Sequence, residues 1–90
     1  MKLTLAKISE NIDGPLTEIK KLCFKNQHIR LLDDLSCLVD LEELDLGNNE
    51  LKNSIFIGIK DCKSLKTLKL QNNKIEEIKN LKNLQDLKGI

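Results

Sequence analysis

Ninety residues leave room for one core, and a domain of this size buries a smaller share of its surface than a larger one. The chain is 40% hydrophobic yet holds two phenylalanines, Phe24 and Phe56, and no Trp or Tyr, so leucine and isoleucine must fill the interior. Fifteen basic and fourteen acidic residues give a formal charge of +1, which supplies no global field for nucleic acid or an anionic membrane.

Thr4 stands where an N-cap belongs, and Leu5, Ile8 and Ile12 fall on one helical face. Asp13-Gly14-Pro15 then stops the segment, so residues 4–12 are predicted to form an amphipathic helix. Residues 1–15 are expected to act as an N-terminal cap over the core that follows. A membrane-surface helix is the alternative use of such a face, though this one is short and has few cations.

The same eleven-residue phrase then occurs three times, as IKKLCFKNQHI from Ile19, LEELDLGNNEL from Leu41 and LKTLKLQNNKI from Leu65. The shared frame is LxxLxLxxNxL, and the second interval between starts is slightly longer than the first. Leu22 and Phe24, Leu44 and Leu46, and Leu68 and Leu70 are each two apart, so each pair faces one side of a short strand. No unit can bury that face alone, whereas parallel stacking at roughly 4.8 Å sets each pair on the next. The expected fold is α/β: a curved solenoid with a short parallel sheet on its concave face and the returns on its convex face.

Gln27, Asn49 and Asn73 occupy the ninth position of the phrase, where a side-chain amide can satisfy backbone groups of its own and neighbouring turns. Gln27, with its longer side chain, predicts a looser first turn. Ile29, Leu32, Leu35 and Leu38 recur every three residues in the first return, as do Ile75, Ile78, Leu81 and Leu84 in the third; that period suits 3₁₀ turns. In the second return Ile55, Ile59 and Cys62 follow the spacing of one α-helical face. Leu87 falls where the next start of the frame is due and Ile90 where Leu68 does, so a fourth strand is expected to begin at residues 87–90. The expected division of the single domain 1–90 is a cap at 1–15, repeats at 19–40, 41–64 and 65–86, and a truncated repeat or minimal cap at 87–90.

The intervals between starts lie in the range of about 20 to 29 residues typical of leucine-rich repeats. The unit LxxLxLxxNxIxxIxxLxxLxx, clearest over residues 65–86, resembles the 22-residue phosphatase-regulator class of these repeats, found in eukaryotic intracellular proteins. Within that class the chain is most similar to the acidic leucine-rich nuclear phosphoprotein family over residues 15–84. Residues 51–65 have the length of that family's helical insert, with Cys62 shortly before Leu65. Lys2-Leu3-Thr4 resembles the spliceosomal A-prime protein, whose repeats are of the same type. The first resemblance implies histone-chaperone or scaffold roles, generally with a long acidic tail, and the sequence stops at Ile90 without one. Activity that depends on the tail is therefore not expected of these residues, and the repeat motif describes scaffold positions rather than a transferable site.

The strand positions expected on the concave face are Lys21, Cys23 and Lys25; Glu43, Asp45 and Gly47; and Thr67, Lys69 and Gln71. Lys21 is expected to face Glu43, with Asp45 between Cys23 and Lys69. These charges are either cross-strand pairs, each worth a few tenths to about 1 kcal/mol, or a mixed-charge surface suited to another protein. The candidate partner surface is Lys21, Lys25, Glu43, Asp45, Thr67, Lys69 and Gln71, with Leu87 and Ile90 at an open last edge covered by a partner or a second copy.

A ribonucleoprotein particle contacting lysines 60, 63, 66, 74, 79, 82 and 88 is the second reading, and a phosphatase-regulator-like or histone-chaperone-like module the third. The concave positions themselves carry acid at their centre and no aromatic to stack a base. His28 alone, the adjacent pairs Asp33-Asp34 and Glu76-Glu77, and the absence of a glycine-rich phosphate loop predict no catalysis. No cofactor, metal or small-molecule substrate is expected. Cys23, Cys37 and Cys62 form no CxxC pair and read as reduced thiols. Residues 1–11 lack a signal-peptide pattern, and no run reaches the roughly 18 to 20 apolar residues of a membrane span, so an intracellular protein of the nucleus or cytoplasm, with no membrane partner, is expected.

Overall fold

The computed structural model describes residues 1–52, 55–59, 61–75 and 86–88. Each copy of the repeated phrase supplies one short strand: β2 (Lys21–Cys23), β4 (Glu43–Asp45) and β5 (Thr67–Lys69), with β6 (Asp86–Lys88) after them. They pair in parallel in the order β2-β4-β5-β6. The register sets Leu22 on Leu44, Leu44 on Leu68 and Leu68 on Leu87. Period-two alternation sends Leu22, Phe24, Leu44, Leu46, Leu68 and Leu70 to the buried side, where they share one core with Leu35, Leu38, Leu41, Leu51 and Leu65.

The last pairing corrects the expected frame. Leu87, not Ile90, sits beside Leu68, so the chain returns to the sheet sooner than the frame predicted. Centring on Leu87 gives the strand a residue on each side, as in the other three. Ile78, Leu81, Leu84 and Ile90 lie outside the described residues.

Before the sheet, β1 (Lys2–Leu3) leads into helix α1 (Leu5–Glu10). The Thr4 hydroxyl accepts from the Lys7 N–H at 3.1 Å, the cap that its position predicted. The helix ends at Glu10, short of the Ile12 that the apolar spacing suggests: the Asn11 N–H closes on the Ile8 carbonyl, and Gly14, with φ of 102°, turns the chain back. Ile8 is fully buried, while Leu5 and Ile12 pack at the margin of the core. A single 3₁₀ turn, Leu16–Glu18, precedes β2.

The first return departs from its predicted 3₁₀ path. Leu31–Leu32 (β3) is extended and pairs in parallel with β1, Lys2 beside Leu31 and Leu3 beside Leu32. The Arg30 N–H donates to Met1 O and the Asp33 N–H to Leu3 O, bonds that a 3₁₀ turn over the same residues would forgo. Asp33 then clamps the N-terminal segment: its Oδ2 accepts from the Leu5 N–H at 3.0 Å and its Oδ1 lies 3.1 Å from Lys2 Nζ. The period of three reappears only beyond it, where the Leu38 N–H donates to Leu35 O and the Leu41 N–H to Leu38 O. In the second return the expected helix is present as α2 (Ile55–Ile59), but it stops short of Cys62, which the apolar spacing had placed on its face and whose N–H instead closes a turn on the Ile59 carbonyl. Gly58 lets α2 close on β3, since a Cβ there would stand 2.7 Å from the Asp33 carbonyl oxygen.

Asn49 holds successive turns together. Its Oδ1 accepts from the N–H groups of Gln27 and Ile29, both at 3.0 Å, and its Nδ2 faces the carbonyls of Phe24, Leu46 and Gly47. Asn73 repeats the pattern one turn on, with the Leu51 N–H at 2.9 Å and the carbonyls of Leu46, Leu70 and Gln71. Gln27 has no earlier turn to serve and is exposed; its amide reaches only the Lys25 carbonyl at 3.4 Å.

Asn49→Ala leaves several buried backbone groups unpaired and is expected to cost at least about 2 kcal/mol in urea denaturation. Gln27→Ala, at an exposed position, should stay within about 0.5 kcal/mol of the parent. The Leu5 N–H, and after it the Lys2 ammonium, hold the Asp33 carboxyl below the ordinary value of 3.8. Stability from that group is fully present above the ordinary value and is lost as pH falls through the lower folded one. The urea midpoints of wild type and Asp33→Asn should therefore differ at neutral pH and converge in that acid window.

Candidate functional site

The side of the sheet away from the core presents two registered rows. Lys21, Glu43 and Thr67 form the first, and Cys23, Asp45 and Lys69 the second, as the sequence predicted. Lys21, Cys23 and Lys25 are exposed, and Glu43, Thr67, Lys69 and Gln71 are half-buried. Among the described residues no ion pair crosses these strands; the ion pairs present join Lys2 to Asp33 and Glu50 to His28 and Arg30. Among the described residues these charges are therefore not joined by the cross-strand ion pairs that were their alternative reading.

Asp45 differs from its neighbours. It is only 9% exposed, and its Oδ1 accepts from the Gly47 N–H at 3.0 Å, so the carboxylate is engaged in the chain's own turn. The Asp-x-Gly spacing was the available signal for this. Gly47 is covered in turn by the amide of Gln71, which occupies the space a Cβ would need. Leu87 belongs to β6, beside β5, while Ile90 lies outside the described residues.

The rim at the end of the strands holds residues that sequence reasoning passed over. Asn26, Asn48 and Asn72 all adopt left-handed backbone, with φ of 60°, 56° and 58°. Asparagine tolerates that region better than most residues, so the amide preceding each ladder position was the signal. Asn72 Nδ2 donates to Asn48 Oδ1 at 2.6 Å, a second and exposed link between turns.

The groups considered for chemistry do not assemble. His28 is exposed, with Nδ1 3.4 Å from Glu50 Oε2, and Asp33 is held by Lys2 and Leu5. Glu76 and Glu77 lie outside the described residues. Among the described residues no group of three or more His, Cys, Asp or Glu could hold a metal ion, and no helix is long and apolar enough to cross a membrane. Cys62 is buried against the Leu35 carbonyl, 3.3 Å from its sulfur. Burial first, and then the charges of nearby acidic groups, Asp34 foremost, push its thiol up to about 11.

Parallel strands delivered one per sequence repeat, with leucines stacked behind them and asparagines joining the turns, define a repeat protein built around a single shared sheet. The family model for leucine-rich repeats in two copies matches residues 39–83, and the chain belongs to that family. No curated protein and no solved structure compared with it gives a match. The narrower likenesses to the acidic nuclear phosphoproteins and the A-prime protein gain no support from the comparisons. Leucine-rich repeats generally mediate protein–protein interaction and are typically non-catalytic.

The three thiols give a direct check on burial. At pH 8 a thiol reagent should modify Cys23 and Cys37, which are exposed, and reach Cys62 only after denaturation. Because the Cys62 thiol is raised above its ordinary value of 9.0, the stability it contributes is intact below that value and lost as pH rises through about 11.

Proposed function

We propose that this chain is a non-catalytic protein-interaction module whose partner lies on the open face of the parallel sheet. The observation that carries the reading is the pair of registered rows, in which Lys21, Glu43, Thr67 and Lys69 present both signs of charge with no ion pair across the strands among the described residues. Complementary charges set orientation and association rate for a protein partner that also carries both signs. Asp45, in the second row, is engaged by the Gly47 N–H.

In this reading the array is a short solenoid with that sheet on its concave side and the returns on its convex side. α1 serves as the N-terminal cap, a role supported by the full burial of Ile8 in the common core. The outer edge of β6 extends the contact surface. A protein is favoured over RNA, because the face offers a carboxylate at its centre and no aromatic platform.

The test is affinity capture from the source cells with the wild type and a Glu43→Lys/Lys69→Glu variant, which keeps the net charge. Specific partners identified by mass spectrometry should be lost by the variant, while its circular dichroism is unchanged and its stability to urea stays within about 0.5 kcal/mol of the wild type. Partners retained in full by a correctly folded variant would refute the assignment.

A further inference from the structure

Among the described residues, the first strand of the sheet, β2, has no strand on its outer side, and a cavity of about 390 Å³ lies against it. Its walls come from α1 and the residues just after it, through Lys7, Asn11 and Ile12, and from β2 and the turn beyond, through Lys21, Phe24 and Gln27. None of its lining comes from β4, which sets the cavity on the outer flank of β2.

Backbone direction makes that flank a template. Phe24 and Asn26 donate their N–H groups inward to the carbonyls of Asp45 and Gly47, and the Lys20 carbonyl accepts inward from Glu42 and Glu43. Hydrogen-bonding direction alternates along a parallel strand, so the N–H and C=O groups of Lys21 and Cys23 point outward, into the side that carries no strand. The apolar floor is open here too: Leu22 and Phe24 retain 7% and 8% exposure, whereas Leu44 and Leu68, the counterparts of Leu22, retain none, and Leu46 and Leu70, those of Phe24, retain 0% and 1%.

Charge selects the occupant. The lining carries Lys7 and Lys21 and no carboxylate, and neither lysine has an ion-pair partner among the described residues. The geometry points to a second binding site at this edge, one that takes an extended acidic peptide as an added parallel or antiparallel strand. Its main chain bonds to Lys21 and Cys23, one side chain enters the gap beside Ile12 and Phe24, and its carboxylates meet Lys7 and Lys21. This site uses the outer edge of β2 and shares Lys21 with the open face, but it does not depend on the reading given to that face.

The probe is a fluorescein-labelled hexapeptide of alternating valine and glutamate, followed by anisotropy against the full chain in low salt. Binding should weaken at least about tenfold in Lys7→Glu/Lys21→Glu and fall with added salt. Lys63→Glu/Lys66→Glu, which changes net charge equally at exposed positions away from the cavity, should retain it. The same peptide methylated at every backbone nitrogen should not bind, since it cannot donate to the edge. Circular dichroism establishes that both variants fold. Equal binding by a lysine-for-glutamate peptide, by the methylated peptide or by Lys7→Glu/Lys21→Glu would overturn the proposal, as would equal weakening by the two double variants. Sedimentation of the protein alone adds one further outcome: a dimer dissolved by Lys7→Glu/Lys21→Glu would assign the edge to a second copy and overturn the acidic-peptide assignment.

Discussion

A buried amide must find partners for both its oxygen and its nitrogen, or its desolvation counts against folding. Asn49 finds them entirely among backbone groups of its own turn and the preceding one, bonding Gln27, Ile29, Phe24, Leu46 and Gly47. The chain turns too tightly at the strand ends for these groups to pair in a ladder, so one side chain per turn does it. The spacing between turns follows from this link, and the leucine stack and the parallel register rest on that spacing. The first turn shows the link's direction: it receives the Asn49 amide but returns nothing, and its own Gln27 stays in solvent.

The same backbone constraint determines which charges are free to act. Asp45 and Glu43 sit on one strand and face one side, yet their roles separate: Asp45 is consumed by the Gly47 N–H, while Glu43 keeps its carboxylate at the surface. A formal charge of +1 therefore conceals a local arrangement in which the edge strand and the end of α1 are lysine-lined and the acid lies one strand further in. An interaction protein with little net field can still distinguish partners by where along the sheet they dock.

Much of this was legible from leucine spacing. Pairs two apart identified the strands and which side they bury, the common frame set the register of β2, β4 and β5, and Thr4 marked the start of α1. The pairing of β1 with β3 was not legible, because strands so short show no periodicity and Lys2 meets Leu31 across the whole of α1 and β2. The regular period of Leu32, Leu35 and Leu38 is real, but β1 draws its first part into an extended pairing and leaves turns only beyond Leu35. Gly58 carried no sequence signal either, since its need arises from α2 meeting the backbone of a different return. For the candidate surface, sequence located the positions but not their freedom: Asp45 looks like its neighbours until the bond to Gly47 is seen.

The steps between registered leucines, from Leu22 to Leu44, to Leu68 and to Leu87, are unequal in length, the second the longest and the third the shortest, yet the strands they join stay in register. Register among β2, β4 and β5 rests on the asparagine links with the leucines packed behind them, and the length of chain between those points is a separate variable. Residues can be gained or lost in a return without sliding one strand against the next. Unequal lengths of chain between strands are therefore compatible with one constant spacing of the positions that the sheet presents.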